Sequence, residues 1–206
     1  MHKEIKSMTS RDLQASERRE QILNAARQLF VQEGYHAASM RAINKKVGMS
    51  DALTYHYFPE GKLEIFNTII REGHEQRIQD INNFVKSLKS DLSLRDGLLL
   101  VGQKVSEIFL SNDEITQLVI REKNLLEPEQ YKFLTNITQQ LIDSMIGFLS
   151  NEPIKSQIRE MDLRLAIMQF IYNFTTISIF GKEFVVDGYD GYIEKIVDFT
   201  VKLWSE

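Results

Sequence analysis

Arg41, Tyr55 and His56 are the side chains of this chain best suited to touching a nucleic acid, and Ser39, Ser50, Asp51, Ala52, Leu53, Thr54 and Lys62 accompany them. An arginine guanidinium matches the O6 and N7 edge of guanine bidentately, a tyrosine hydroxyl donates to phosphate, and a histidine reaches a phosphate or a base edge. Ser39 and Ser50 each precede a short amphipathic segment; Ser50 reads as a helix cap, and the first N–H groups of the helix after Ser39 and of the helix from Pro59 can hold phosphates. Lys62 offers another phosphate contact, and the basic tail (Lys3, Lys6, Arg11, Arg18, Arg19) offers sequence-independent ones. Plainer readings stand beside these. Tyr57 and Phe58 read as core, Lys45 and Lys46 as solvated, and Tyr55 is divided between core and contact on spacing alone.

Other chemistry finds little support. The histidines (His2, His36, His56, His74) are scattered without metal-ligand spacing, and Glu72-Gly73-His74-Glu75 reads as a solvated helix face. There is no glycine-rich phosphate loop and no nucleophile elbow. The absence of cysteine removes disulfides, thiolate nucleophiles and thiolate zinc sites. No enzyme and no cofactor is expected. The N-terminal segment has no apolar stretch of signal-peptide type, and Arg164, Gln169 and Asn173 interrupt the apolar run from Leu163 to Phe180. No membrane association is expected, and the setting is read as cytoplasmic.

The net charge of −4 looks unsuited to DNA, but its distribution does not. Residues 1–62 carry ten Lys and Arg against seven acids, a balance of +3; the remaining 144 residues carry fifteen against twenty-two, a balance of −7. A basic module ahead of an acidic body suits a nucleic-acid contact at one end.

The elements that must position these residues read as helices throughout, with only 3 prolines and 10 glycines in 206 residues. Ile22, Ala25, Ala26, Leu29 and Phe30 form one apolar stripe, predicting a helix from Ser16, its cap, to Glu33, ended by Gly34. A second helix follows Ser39, with Met40, Ile43 and Val47 inward. Gly48 turns the chain, and a third helix runs from its Ser50 cap to about Phe58. A fourth starts at Pro59 and carries Ile65, Phe66, Ile69 and Ile70. Further helices are expected near 94–110, 113–126, 128–150, 161–180 and 190–204, with residues 183–186 more readily a loop than a strand. The expected organisation is a flexible basic arm (1–15), a helix-turn-helix DNA-binding domain (16–62) and a ligand-binding and dimerisation domain (63–206).

The ordered set Ile22-Leu23-x-Ala25-Ala26-x-x-Leu29-Phe30, Gly34-Tyr35, Ser39-Met40-Arg41-x-Ile43, Val47-Gly48-Met49-Ser50 and Tyr55-His56-Tyr57-Phe58 resembles the tetracycline-repressor (TetR) family of bacterial transcription regulators. The likeness covers about residues 18–66, and Phe58-Pro59-x-Gly61-Lys62 looks like a form of the usual Phe-x-x-Lys one residue longer. Departures are Asn44 for the usual alanine, Ala38 for a frequent threonine, Asp51 where a neutral or basic residue is commoner, and Thr54 at a usually apolar position. Leu53 comes one residue early, so which of Leu53 and Thr54 faces DNA is left open. Asp51 would repel phosphate, yet it suits a helix N-terminus and could accept from a cytosine amino group.

The resemblance implies an all-α fold and a homodimer that places two reading helices on a palindromic double-stranded DNA operator. It also implies a cavity for a small-molecule effector and, most commonly, repression. Apolar residues nearly all round 163–180, including Ile167, Ile171 and Ile179, support the dimer independently, because such a helix needs cover on two sides. Burial within one subunit is the alternative. Tyr192, Ile196, Phe199, Leu203 and Trp204 would join that interface. Phe109, Tyr131, Phe133, Met145, Phe148, Phe170, Tyr172 and Phe174 could line the cavity, with Arg121, Gln140, Gln169 and Asn173 as polar groups; aromatics at helical spacing also read simply as core. The effector would bias the spacing of the reading helices through the fourth helix. The rival reading is an all-helical partner-binding module with a degenerate DNA-reading head.

Overall fold

The computed structural model describes residues 9–110, 114–180, 185 and 191–205, and their side chains except at 109, 110, 115 and 175–180. Every regular element among the described residues is helical. In chain order these are α1 (Ser10–Glu33), α2 (Met40–Val47), α3 (Asp51–Tyr57), α4 (Lys62–Ser87), α5 (Leu94–Leu110), α6 (Glu114–Glu122), α7 (Pro128–Leu149), α8 (Leu163–Phe180) and α9 (Tyr192–Ser205). Two compact units divide the chain, Met1–Ile70 and Arg71–Glu206, so the boundary falls within α4.

α1 begins six residues before the expected cap at Ser16. Thr9 Oγ1 accepts from the Asp12 N–H at 3.3 Å, and the Asp12 carboxylate accepts from the Thr9 N–H at 3.0 Å. This reciprocal box satisfies two donors that a helix start otherwise leaves open. No glycine or proline follows before residue 34, so nothing stops the helix. Residues 10–15, expected in a flexible arm, are therefore helical; the arm's Lys3 and Lys6 lie outside the described residues.

α2 and α3 fall where their caps predict. Ser39 Oγ accepts from the Ala42 N–H at 3.1 Å, and Ser50 Oγ accepts from the Leu53 N–H at 3.3 Å. Between them Gly48 takes the left-handed conformation (φ 67°), which a side chain disfavours and a tight inter-helix turn requires. α4 does not begin at Pro59. Pro59, Glu60 and Gly61 form a turn in which the Gly61 N–H donates to the Phe58 carbonyl at 2.9 Å, and the left-handed Gly61 (φ 72°) cannot be part of a right-handed helix. The helix starts one residue later, at Lys62.

In the first unit Phe30, Tyr35 and Phe66 pack mutually, with ring centroids 5.1–6.1 Å apart in tilted and edge-to-face arrangements. Ile22, Ile43, Phe58, Ile65 and Ile69 complete a buried core. Each such side chain contributes about 1.5–3 kcal/mol by leaving water. In the second unit α5 packs on α8 and α9, and α7 on α8. Their core includes Leu98, Val101, Val105, Leu141, Met145, Ile167, Phe170, Phe174, Val197 and Trp204. The expected helix over 113–126 is shorter, with α6 giving way to a 3-10 turn at Lys123–Leu125. Of the loop read at 183–186, only Val185 lies among the described residues.

Candidate nucleic-acid interface

Seven residues of α3 make about two turns, too short a helix to be stable alone, so α3 depends on caps and packing. Its inward residue is Thr54, wholly buried. At 100° per residue that assignment turns Ala52, Leu53, Tyr55 and His56 to the surface, and all four are exposed; Asp51, one turn before Thr54 on the same face, is exposed at the helix start. Leu53, 37% exposed, is thus the outward member of the pair left open above. Thr54, expected at DNA, is instead inside: its hydroxyl donates to Asn44 Oδ1 at 2.6 Å. Asn44 Nδ2 in turn donates to Asp51 Oδ1 at 2.5 Å, so the one carboxylate of α3 is tied to α2.

Tyr55 is 45% exposed, and its ring also lies against Gly61. The side chain is thus partly packed and partly open to the surface. His56 packs edge-on to Tyr57 at 5.4 Å. Arg41 is exposed in the first turn of α2, next to the capping Ser39. Phe58 is core, as its pattern indicates, and the Arg19 guanidinium lies 5.5 Å from its ring centroid.

Lys62 differs from expectation. Its ammonium donates to the Tyr35 and Ala38 carbonyls, both at 2.9 Å, and lies 4.3 Å from the centre of the Tyr35 ring. Two of its three donors close the α1–α2 connection. A lysine at the head of a helix looks like a phosphate ligand in sequence; only the fold reveals that carbonyls from 24 and 27 residues upstream reach it first.

The other expected sites divide. Met145, Phe170 and Phe174 are fully buried in the second unit's core, as are Ile167 and Trp204, while Ile171 is 6% exposed. Ile167, Ile171 and Trp204, expected at a dimer interface, therefore serve their own subunit; Trp204 meets Phe170 edge-on at 6.2 Å. Tyr172, expected in a cavity, is 48% exposed on α8, and Leu165, one heptad earlier, is 64% exposed. On α9 the exposed apolar residues are Phe199 and Leu203, whereas Tyr192 and Ile196 are half-buried. Leu165 was legible as the i−7 partner of Tyr172 on the α8 face opposite Ile167, Phe170 and Phe174. Phe109 and Ile179 lie outside the residues whose side chains are described.

Among the polar candidates, Arg121 pairs with Glu122 at 3.3 Å, and the exposed Tyr131 donates to the Lys123 carbonyl at 3.0 Å. Gln169, Phe170 and Asn173 line a cleft of about 110 Å³ with Phe199, Thr200, Leu203 and Trp204. Phe148 lines a different one of about 380 Å³, with Val85, Lys86, Leu88, Ser144, Gly147 and Asn151. Phe133 is half-buried against the core, and Gln140 is exposed. The expected ligand residues whose side chains are described are thus not brought to one cavity. Three buried polar atoms elsewhere in the second unit, His74 Nε2, Asn82 Oδ1 and Ser106 Oγ, have no hydrogen-bond partner among the described residues. His74 belongs to the cluster read in the sequence as a solvated helix face, and the burial of its Nε2 corrects that reading; no spacing or motif singles out Asn82 or Ser106.

A capped two-turn helix presenting polar and aromatic side chains, braced by a second short helix, defines a helix-turn-helix DNA-binding transcription regulator. The family model described as bacterial regulatory proteins, tetR family, matches residues 22–69. The fatty acid metabolism regulator protein of Bacillus subtilis is 27% identical over 150 residues, 71% of this chain and 74% of that one. The HTH-type transcriptional regulator BetI of Vibrio atlanticus is 30% identical over 172 residues, 68% of this chain and 84% of that one. A solved structure of the transcriptional regulator FadR from Bacillus subtilis in complex with stearoyl-CoA superposes with a TM-score of 0.61, at 24% identity, over 91% of this chain and 97% of that one. The chain belongs to the tetR family of bacterial transcription regulators, which are not enzymes. No helix among the described residues is long and apolar enough to cross a membrane.

Proposed function

We propose that this protein is a ligand-responsive repressor that binds a palindromic DNA operator as a homodimer and is released by a small-molecule effector. The observation that carries the reading is the display on α3 of Ala52, Leu53, Tyr55 and His56, beside Arg41, from a first unit of positive charge balance. One such helix reads only a few base pairs, so a selective regulator needs two, about 34–36 Å apart on successive turns of the duplex. The exposed apolar residues Leu165 and Tyr172 on α8 and Phe199 and Leu203 on α9 suit the pairing of two copies. The orphaned polar atoms of His74, Asn82 and Ser106 suit a second unit that accepts a polar ligand group in an otherwise apolar interior.

The first effector class to test is a long-chain acyl-CoA, because one relative is a fatty acid metabolism regulator and a structural neighbour holds stearoyl-CoA. An effector that weakens the operator complex a hundredfold needs about 2.7 kcal/mol of coupling between the two sites. Selection of binding sites from a random duplex library tests the reading head and the symmetry together, and an inverted repeat is the expected product. Acyl-CoA is then titrated against the recovered duplex. A library with no enriched sequence at low salt would instead favour a partner-binding module.

A further inference from the structure

We propose that Asn44, Thr54 and Asp51 form a positioning network that sets the rotation of α3 about its own axis, and with it the base preference of the reading head. The inference rests on the DNA-reading role proposed above. Asn44 is 4% exposed and Thr54 wholly buried, so this is a polar pair placed where a helix-turn-helix core is otherwise apolar. Burying a hydroxyl and an amide is unfavourable unless both find partners. Here they do, in a directional chain: Thr54 Oγ1 donates to Asn44 Oδ1 at 2.6 Å, and Asn44 Nδ2 donates to Asp51 Oδ1 at 2.5 Å.

The chain can run only one way. Rotating the Asn44 amide by half a turn would set its carbonyl oxygen against the Asp51 carboxylate, two acceptors facing each other. The charged acceptor therefore fixes the amide, and the amide fixes the hydroxyl. The Ser50 carbonyl, 3.4 Å from Thr54 Oγ1, is the poorer competitor for its single proton.

Geometry gives the network its consequence. Asp51 and Thr54 lie one helical turn apart on α3, and both are tied to a single α2 residue. Two anchors on one face, one turn apart, restrain rotation as well as tilt, whereas an apolar contact of equal area lets a two-turn helix roll. Rolling α3 by one residue, 100°, would bring Thr54 outward and carry a neighbour in. Asp51 belongs to this network as a positioning residue. Three of the departures from the TetR pattern (Asn44, Asp51 and Thr54) are thus one compensated unit.

The test uses the full-length protein with Asp51→Ala, Asp51→Asn, Asn44→Ala and the double variant Asn44→Ala/Thr54→Val. Amide hydrogen exchange without DNA comes first. Asp51→Ala is expected to speed exchange in α3 and leave α1 unchanged, while Asp51→Asn, which keeps an acceptor for the Asn44 amide, stays near wild type. Site selection from random duplex DNA follows. Asp51→Ala and Asn44→Ala are expected to lower the ratio of specific to non-specific affinity about tenfold, as one mismatched base pair does, and Asp51→Asn to retain the wild-type base profile. Asp51 is exposed, so its variants keep the question open to measurement even if Asn44→Ala does not fold. A ratio that holds within twofold while stability drops would reduce the network to a brace and overturn the proposal. If the wild-type protein selects no sequence although α3 exchange still responds, the DNA-reading role fails and the claim on base preference falls with it. Unchanged α3 exchange beside a normal wild-type selection overturns the network alone.

Discussion

The Tyr55 ring rests on the backbone of Gly61: a Cβ at position 61 would lie 3.1 Å from Tyr55 Cε1 and 3.6 Å from its hydroxyl oxygen. Gly61 is also left-handed, so the turn after α3 and the seat of its exposed tyrosine are one device. Gly61→Ala meets both constraints and is expected to cost about 1–2 kcal/mol in stability from backbone strain. Operator affinity should fall by more than that loss of folded protein explains, because the ring must shift. Tyr55→Phe separates the effects: it keeps the packing, leaves the melting temperature unchanged, and loses about tenfold in affinity per subunit if the hydroxyl donates to a phosphate. Thermal melts beside duplex titrations with the selected site check both variants.

Lys62 should behave as a structural residue. Lys62→Met removes the donor to the Tyr35 and Ala38 carbonyls and is expected to destabilise by about 1.5–3 kcal/mol, since hydrogen bonds to a charged group lie in that range. The salt dependence of DNA binding should change little. Lys45→Gln and Lys46→Gln, at exposed positions, should leave stability alone; the slope of log affinity against log salt falls by about 0.9 for each phosphate no longer neutralised. Paired melting and salt-titration curves distinguish the two kinds of lysine. A Lys62→Met protein of full stability with a reduced slope would return Lys62 to the DNA surface.

What was legible in the sequence was local. The Ser39 and Ser50 caps, Gly48, and the stripe from Ile22 to Phe30 depend on neighbours within one or two turns, and each element formed where its own residues asked for it. The Thr9–Asp12 box was equally local but is carried by an aspartate three residues after a threonine, in a stretch read as a flexible basic arm. The miscast residues depend on partners far along the chain. Lys62 is defined by carbonyls 24 and 27 residues before it, and Thr54 by an amide ten residues before it. In α8 apolar residues circle the helix, so periodicity could not say which side Ile167 and Tyr172 would take; only the packing of α5 and α7 decides it.

Stability should fall in mild acid through His74. Burial first, and the nearby Arg77 charge second, push its imidazole down from 6.5 to about 4. The folded chain therefore keeps His74 neutral through a range in which the unfolded chain protonates it. Because the unfolded state binds the extra proton, stability declines as pH drops from 6.5 toward about 4 and levels off below. The full loss from this group is about 3 kcal/mol. Carboxylates titrate in the same window, so the informative quantity is the difference between wild type and His74→Met in denaturant melts across it. Wild type should lose stability faster with acid. A difference that does not vary with pH would mean that His74 is not held neutral in the folded chain.

The α8 and α9 surfaces separate fold from assembly. Leu165 and Phe199 are 64% and 63% exposed, so charging them costs the isolated subunit little. If that face joins two copies, Leu165→Glu/Phe199→Glu places carboxylates in an apolar interface, and each is unfavourable there without a partner. The expected result is a folded monomer by sedimentation, with unchanged far-ultraviolet circular dichroism and abolished operator binding, because one reading head no longer positions the other. Trp204→Ala behaves oppositely. Trp204 is 2% exposed in its own subunit's core, and truncation is expected to cost about 3–5 kcal/mol of stability. A doubly charged variant that still sediments as a dimer and still binds the operator would move the interface away from this face.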